Sequence, residues 1–367
     1  MIQSTCKLIN NLYFYPVALI RILLFPISLL YGFLTFVRNK LFDWNILSSQ
    51  SFNIPIISLG NLSTGGTGKT PHVEYLIRLL QGEKKVATLS RGYKRKSAGF
   101  LMANDNTSVD DIGDEPFQFK IKFPEVTVAV DEKRVHGVES LLSEKNDINV
   151  VLLDDAFQHR YIKPGLSILL TDFFNLYTND FVVPTGSLRE FRRGAKRADI
   201  IIVTKSPKVL SPLTLRNIIS QINPKENQKV YFSFIKHGKL SQIPGVDFIP
   251  DQQHHYSAIM MVAGIANPYP LELKLRDRCT NLEKLNFSDH HQFTEKDIDK
   301  IIQKFDGIFA KNKIIVTTEK DMGRLRQPEL FQKIKSFPIC YMPIEVKIHK
   351  DDRMDFDNQI IEYVRKN

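Results

Sequence analysis

The chain has 367 residues, 43% of them hydrophobic and 25% charged, which is ordinary for a globular protein and enough for two domains. Cys6, Cys279 and Cys340 are not spaced as pairs and have no histidine at metal-ligand spacing, which excludes a disulfide framework and points to a reducing compartment. A formal net charge of +10 attracts phosphates, whether of nucleotides, nucleic acid or anionic lipid, and selects none of them.

In chain order, the first feature is residues 22–37, ILLFPISLLYGFLTFV, a run without a charge, preceded by Arg21 and followed by Arg38 and Lys40. As a helix it would be roughly 24 Å long at ~1.5 Å per residue, short of the ~30 Å hydrocarbon core of a bilayer. Pro26 would kink such a helix unless it sat in the first turn. No small-residue cleavage site follows, which argues against a signal peptide. The favoured reading is a membrane-associating segment over residues 1–40, lying in one leaflet or spanning with local thinning; a buried core helix is the alternative. Tyr13, Phe14 and Tyr15 suit a membrane interface.

Apolar runs then alternate with helical patterns. Strands are expected at 53–59, 85–89, 126–130, 148–153, 166–171 and 199–204, with helices at 71–80 and 134–143. Continuous apolar runs separated by helices predict an α/β fold, a phosphate-loop NTPase-like parallel sheet covered on both faces, over residues 41–228. Residues 230–234 and 239–243, with His237 and Gly238 between them, read as a hairpin, so a two-stranded linker is placed at 229–256. A smaller α/β unit over 257–367 follows, with strands at 259–263 and 314–317. The two units are expected to face each other across a cleft.

The sharpest motif is at residues 63–70, STGGTGKT, where a buried strand runs through a glycine-rich turn into a helix. Glycines let backbone N–H groups approach phosphate oxygens, and the helix N-terminus adds a favourable dipole. Ser63, Thr64, Gly65, Gly66, Thr67, Gly68, Lys69 and Thr70 are therefore the candidate ATP site, with Lys69 for the β- and γ-phosphates and the Thr70 hydroxyl for Mg²⁺. Ser63 departs from the usual pattern, which opens on Gly six residues before the Lys. The late strand ends in TKSP, residues 204–207, without the Asn and Asp of a guanine reader, which favours ATP.

Asp154 and Asp155 close the strand at 148–153, where acids of this fold help hold Mg²⁺; a helix cap by Asp155 is the bland alternative. Gln158, His159 and Arg160 follow. Arg91, Lys94, Arg95 and Lys96 form a basic cluster that suits either phosphate or solvent. Asp114, in GDEP before an apolar helix, reads locally as an N-cap. His290, in SDHHQF, reads locally as a surface or capping residue, yet transfer to an alcohol needs a group to deprotonate it.

Taken together, SLGNLSTGGTGKTP, SRGYKRK, GDEP, DDAFQH, PTGSLRE, DHHQF and TTEKD occur in order along nearly the whole chain. The chain resembles the tetraacyldisaccharide 4′-kinase (lipid A 4′-kinase) family. That resemblance implies transfer of the ATP γ-phosphate to the 4′-hydroxyl of tetraacyldisaccharide 1-phosphate, forming lipid IVA at the cytoplasmic face of the Gram-negative inner membrane. It implies a catalytic Asp114 with His290 as its partner, the adjacent His291 leaving the identity of the acting histidine open. It also places Asp154 and Asp155 near Mg²⁺, and Arg91, Gln158, His159, Arg189 and Glu190 toward substrate or phosphate. Expected partners are a lipid A disaccharide 1-phosphate precursor and the membrane surface; no nucleic acid is expected, and a monomer is. The rival reading is a membrane-associated phosphate-loop ATPase acting as a partner-regulated switch.

Overall fold

Runs of Val, Ile and Leu such as those at 150–153 and 200–203 are stable only where both faces of a strand are covered, and the centre of the sheet holds such runs. The structure, a computed structural model, describes residues 2–289 and 291–367, the side chains of 2–20 excepted. It divides into two units. The first comprises Met1–Ser90, Lys133–Phe234 and Ile348–Asn367; the second comprises Arg91–Glu132 and Ile235–Lys347. Neither is contiguous, unlike the sequential division read from composition.

Within the first unit six parallel strands lie in the order Lys229–His237, Ile200–Thr204, Leu166–Asp172, Ile56–Asn61, Val150–Asp154, Val86–Ser90. Every residue of Ile56–Asn61, Val86–Ser90, Val150–Asp154 and Ile200–Thr204 is buried. The strand that feeds the glycine loop, Ile56–Asn61, is thus central, and the loop emerges at its C-terminal end, where ligands bind in sheets of this kind. The helix Lys69–Leu80 follows at once, burying Val73, Leu76, Ile77 and Leu80.

A single helix, Ile2–Asp43, opens the chain. It runs through Pro26 without a break, so Pro26 lies in the helix interior and not in a first turn. Its stretch Arg21–Asp43 is long and apolar enough to cross a membrane by length and composition, and only 11% of that window is buried. One face lies against the segment 181–191. The Phe25 and Phe181 rings meet edge to face at 6.3 Å, and Thr185 N–H donates to Ser28 Oγ at 2.9 Å. A Cβ on Gly32 would strike the Phe191 ring. The opposite face exposes Ile22, Leu23, Ile27, Leu30, Phe33 and Leu34.

In the second unit, four parallel strands, Cys279–Asn286, Tyr256–Ala263, Lys313–Thr318 and Ile339–Met342, are completed by the antiparallel Ser241–Gln242. The helices Asp114–Lys122 and Glu319–Leu325 belong to this unit. The hairpin expected over 230–243 does not form. Ser241 and Gln242 pair instead with Tyr341 and Cys340, and the Gly238 N–H donates to Pro343 O, so the segment after His237 runs antiparallel to residues 340–343 rather than folding back on the strand before it.

Candidate active site

The loop at residues 63–70 is shaped by its backbone. Gly65 and Gly68 have φ of 118° and 85°, left-handed values that a side chain resists. Ser63 has no such φ; it makes an antiparallel bridge with Leu188, so a glycine is not needed where the usual pattern has one. Thr64 N–H donates to Ser187 O at 2.6 Å, and Arg189 N–H to Leu62 O at 2.7 Å, lashing the loop's first half to the PTGSLRE segment. Asn61, fully buried at the strand end, donates from Nδ2 to Thr67 Oγ1 at 2.8 Å, while its Oδ1 has no hydrogen-bond partner. A Cβ on Gly65 or Gly66 would meet no protein atom within 4 Å, so the bare backbone there faces ligand space rather than a neighbour. Such a concave run of N–H groups at a helix N-terminus is an anion cradle.

Three charged side chains converge beside the cradle. Lys69 Nζ lies 3.6 Å from Asp155 Oδ1, and Arg189 NH1 lies 3.0 and 3.1 Å from the two Asp155 oxygens. Burial works to raise the Asp155 pKa, but Lys69, Arg189 and Arg134 outweigh it and hold it lowered, so the carboxylate is ionised. Asp155 has φ 47° in a turn and starts no helix, which removes the capping alternative. Asp154 is buried at its strand end, with Ser90 Oγ 3.4 Å from its Oδ2. Among the described residues no group of three or more His, Cys, Asp or Glu could hold a metal ion. Mg²⁺ at a transferring phosphate takes most ligands from phosphate and water, so Thr70, Asp154 and Asp155 are a donor set that suits it.

Gln158 donates from Nε2 to Asn61 O at 2.9 Å and to Glu190 Oε1 at 3.1 Å. Glu190 is buried and accepts from Asn39 Nδ2 at 2.7 Å and from both terminal nitrogens of Arg197 at 2.8 and 2.9 Å. Both residues, expected near substrate, are occupied in tying the N-terminal helix to the loop. His159 is half-buried next to them.

In the second unit Arg91 is exposed, while Lys96 pairs with Asp110 at 2.6 Å and Arg95 with Glu132. Asp114 is not the N-cap of its helix. Gly113 holds that position with φ 87°, and a Cβ there would come within 2.8 Å of Tyr93 O. The Asp114 carboxylate instead receives Arg324, Nε to Oδ1 at 3.1 Å and NH2 to Oδ2 at 2.7 Å. Arg324 is 1% exposed at its side chain and also reaches Asp321 Oδ1 at 3.1 Å and Gly264 O at 3.3 Å. Burial opposes its charge, but Asp114, Asp321 and Glu115 hold its pKa raised. Asp321 is further held by Gly264 N–H at 2.8 Å and Thr318 Oγ1 at 2.7 Å, which is what the TTEKD motif builds. A cavity of about 260 Å³ adjoins this cluster, lined among others by Asp114, Phe117, Lys122, Glu319 and Arg324. Arg324 was not foreseen; its only signal was its place one helical turn after Asp321.

His290 lies outside the described residues. The adjacent His291 is engaged: Nε2 is 3.0 Å from Asp297 Oδ2, and the ring stacks on Phe287 at 4.7 Å. Asp297 is the capping-box residue of helix Glu295–Asp306, so His291 is bound into a structural turn.

Comparison with known proteins places the chain among relatives of one kind. The family model described as tetraacyldisaccharide-1-P 4′-kinase matches residues 20–365. The chain is 47% identical over 355 residues to the tetraacyldisaccharide 4′-kinase of Bacteroides thetaiotaomicron, covering 94% of this chain and 93% of that one. It is 48% identical over 343 residues to that of Flavobacterium psychrophilum, covering 93% and 96%. Its fold is similar to the crystal structure of LpxK from Aquifex aeolicus in complex with ATP, with a TM-score of 0.72, 26% identity, and coverage of 94% and 99%.

Proposed function

Because this chain belongs to the tetraacyldisaccharide-1-P 4′-kinase family, we propose the following division of labour among its residues. The enzyme transfers the γ-phosphate of ATP to the 4′-hydroxyl of tetraacyldisaccharide 1-phosphate, a step of lipid A biosynthesis. Residues 63–70 bind the β- and γ-phosphates, with Lys69 turning from Asp155 to the phosphate oxygens. Thr70, Asp154 and Asp155 would hold Mg²⁺, which would supply positive charge beside the phosphates. Arg189, poised on Asp155, supplies a second cation to the phosphates, and the exposed Arg91 meets the anionic acceptor.

Asp114 accepts the proton of the 4′-hydroxyl, and Arg324 fixes the direction of its carboxylate. His290 takes the partner role that the family resemblance gives it; the commitment of His291 to Asp297 and Phe287 favours that choice. The single observation carrying the reading is the bare glycine cradle with Lys69 and an ionised Asp155 beside it.

The helix Arg21–Asp43 lies in the cytoplasmic leaflet of the inner membrane rather than across it. Ser28, about a third of the way along it, is buried against Thr185, and a spanning helix would drag that loop, with Asp180 and Arg192, into hydrocarbon. The exposed apolar face is the one that enters lipid, close to the acyl chains of the acceptor.

The deciding experiment is transfer of labelled phosphate from ATP to detergent-solubilised tetraacyldisaccharide 1-phosphate. Wild type forms a labelled lipid, and Asp114→Ala lowers kcat at least 100-fold with the ATP KM within threefold. ATP hydrolysis without any labelled lipid would replace this reading with that of a switch ATPase, and an undiminished Asp114→Ala would remove Asp114 from the mechanism.

A further inference from the structure

His72 lies four residues after Gly68 and is buried, with 3% of its surface exposed. Its Nδ1 lies 2.7 Å from the carbonyl oxygen of Gly68, and its Nε2 lies 2.9 Å from Ser233 Oγ. A carbonyl only accepts, so Nδ1 carries the proton and Nε2 accepts from the Ser233 hydroxyl. Ser233 is fully buried on Lys229–His237, three strands away from the one that feeds the loop, and Ser206 N–H and Oγ both donate to its carbonyl at 2.9 Å. Burial pushes the His72 pKa down to about 4, against the Gly68 hydrogen bond that raises it, so the ring is neutral at working pH.

The bond matters because of where it is aimed. Gly68 has φ 85° and ψ 29°, a left-handed conformation directly before the helix Lys69–Leu80. In a trans peptide the C=O and the next N–H point in opposite directions. Pinning the Gly68 carbonyl toward His72 therefore pins the Lys69 N–H away from it, out of the helix N-terminus and into the anion cradle. The carbonyl's other partner is the His72 backbone N–H at a longer 3.3 Å, so the imidazole supplies the shorter of its two bonds.

We propose that His72 is a positioning residue for ATP: a neutral imidazole strut between Ser233 and Gly68 that sets the Gly68–Lys69 peptide so that its N–H meets a phosphate oxygen. This rests on the reading of residues 63–70 as the ATP site. The strut does not touch substrate; it acts through the backbone, and it couples the loop to a strand at some distance across the same sheet.

The test uses the full-length enzyme in detergent, with ATP affinity by calorimetry, KM for ATP and for the lipid acceptor, and a thermal unfolding curve for each variant. Asparagine places an amide donor where Nδ1 was, whereas glutamine places it where Nε2 was. His72→Gln and His72→Leu are expected to weaken ATP binding and raise its KM about fivefold, the equivalent of one neutral hydrogen bond, with the acceptor KM within twofold. His72→Asn stays within twofold of wild type for ATP. Ser233→Ala, which leaves His72 in place but unbraced, raises the ATP KM about two- to threefold and serves if the His72 variants do not fold. The proposal is overturned if His72→Gln or Ser233→Ala binds ATP as wild type does. It is equally overturned if Asn, Gln and Leu at this position weaken ATP binding equally, in step with lost stability. Lys69→Ala separates the two levels: normal ATP binding there removes the phosphate-loop reading and this inference together, whereas impaired binding there with a normal His72→Gln removes the strut alone.

Discussion

Arg324→Ala tests the buried charge cluster directly. The substitution takes a guanidinium away from Asp114 and from Asp321, whose side chain is 0% exposed. Removing one partner of a buried ion pair costs about 3–5 kcal/mol, because the remaining carboxylate is left without its counter-charge. Asp321 would keep two donors, Gly264 N–H and Thr318 Oγ1, and Asp114 is 11% exposed, so the lower end, about 3 kcal/mol, applies here. At roughly 2–4 °C per kcal/mol, the transition unfolding this unit should fall by about 6–12 °C. Arg324→Lys restores a point charge but not the fork that spans both Asp114 oxygens and Asp321, and should recover about half of the loss. Calorimetric scans of purified protein, paired with transfer kinetics at saturating ATP, read both effects. The loss in kcat should exceed what unfolding at the assay temperature explains, because Asp114 loses its orientation. Arg324→Ala with an unchanged transition and unchanged kcat would refute the argument, since it would mean that neither carboxylate relies on Arg324.

Gly66→Ala and Gly113→Ala should part company. At Gly66 a Cβ meets no protein atom and φ is not left-handed, so stability should hold within about 0.5 kcal/mol while ATP affinity falls, as scanning calorimetry and binding would record. At Gly113, φ 87° and the approach to Tyr93 O should together cost about 2 kcal/mol or more and displace the first turn that carries Asp114, seen as a lower transition and a lower kcat. For the membrane contact, Trp44 is the only tryptophan, so Leu30→Trp in a Trp44→Phe background reports one depth. A helix lying in one leaflet gives strongest quenching by lipids brominated near the headgroup, roughly 5–10 Å deep; strongest quenching by terminally brominated chains would mean that it spans. Finally, burial lowers the His349 pKa, with Asp352 and Asp351 opposing, while Ser206 Oγ sits 2.9 Å from its Nε2. The unfolded chain then takes up this proton first, below pH ~6.5, so the contribution is full above that value and is lost as pH falls toward the folded one. Urea unfolding of His349→Gln should therefore vary less between pH 7.5 and pH 5 than wild type does.

What was legible in the chain followed burial. The stretches at 148–153 and 199–204 carry the uninterrupted apolar runs 150–153 and 200–203, which suit a strand covered on both faces, and the structure puts strands at Val150–Asp154 and Ile200–Thr204. Cys279–Asn286 escaped notice because CTNLEKLN lies at a sheet edge and is largely solvated, leaving no apolar run to read. Pro26 lies inside the helix rather than in its first turn, because the apolar residues on either side sustain the helix past it. The phosphate loop was legible because its chemistry is local: backbone, one Lys and one Thr within eight residues. The setting of Asp114 was not, because its partner Arg324 is 210 residues away and joins it only through the fold. A sequence presents GDEP as a capping signal; only the packed unit shows that Gly113 takes the cap and frees Asp114 for Arg324.

The same logic applies to Glu190 and Gln158, which the sequence offered as substrate contacts. Their hydrogen bonds run the other way, from the N-terminal helix to the loop. Arg38 donates to the Gln158 carbonyl at 3.3 Å, Gln158 donates to the Asn61 carbonyl, and Asn61 donates to Thr67 within the glycine loop. Asn39 and Arg197 clamp Glu190 beside them. Charged and amide side chains held at both ends are poor substrate ligands, since each would have to break a buried bond to reach one. They make a stiff connection instead. For a helix lying in one leaflet, that connection sets the height of the phosphate cradle above the lipid surface. An acceptor whose hydroxyl sits at the headgroup level and whose acyl chains stay in the bilayer presents itself at one height only. A cradle bonded to the helix that defines that level meets it without lifting the lipid out, which is a physical reason for an apolar helix to be built into the nucleotide-binding unit rather than attached by a flexible tether.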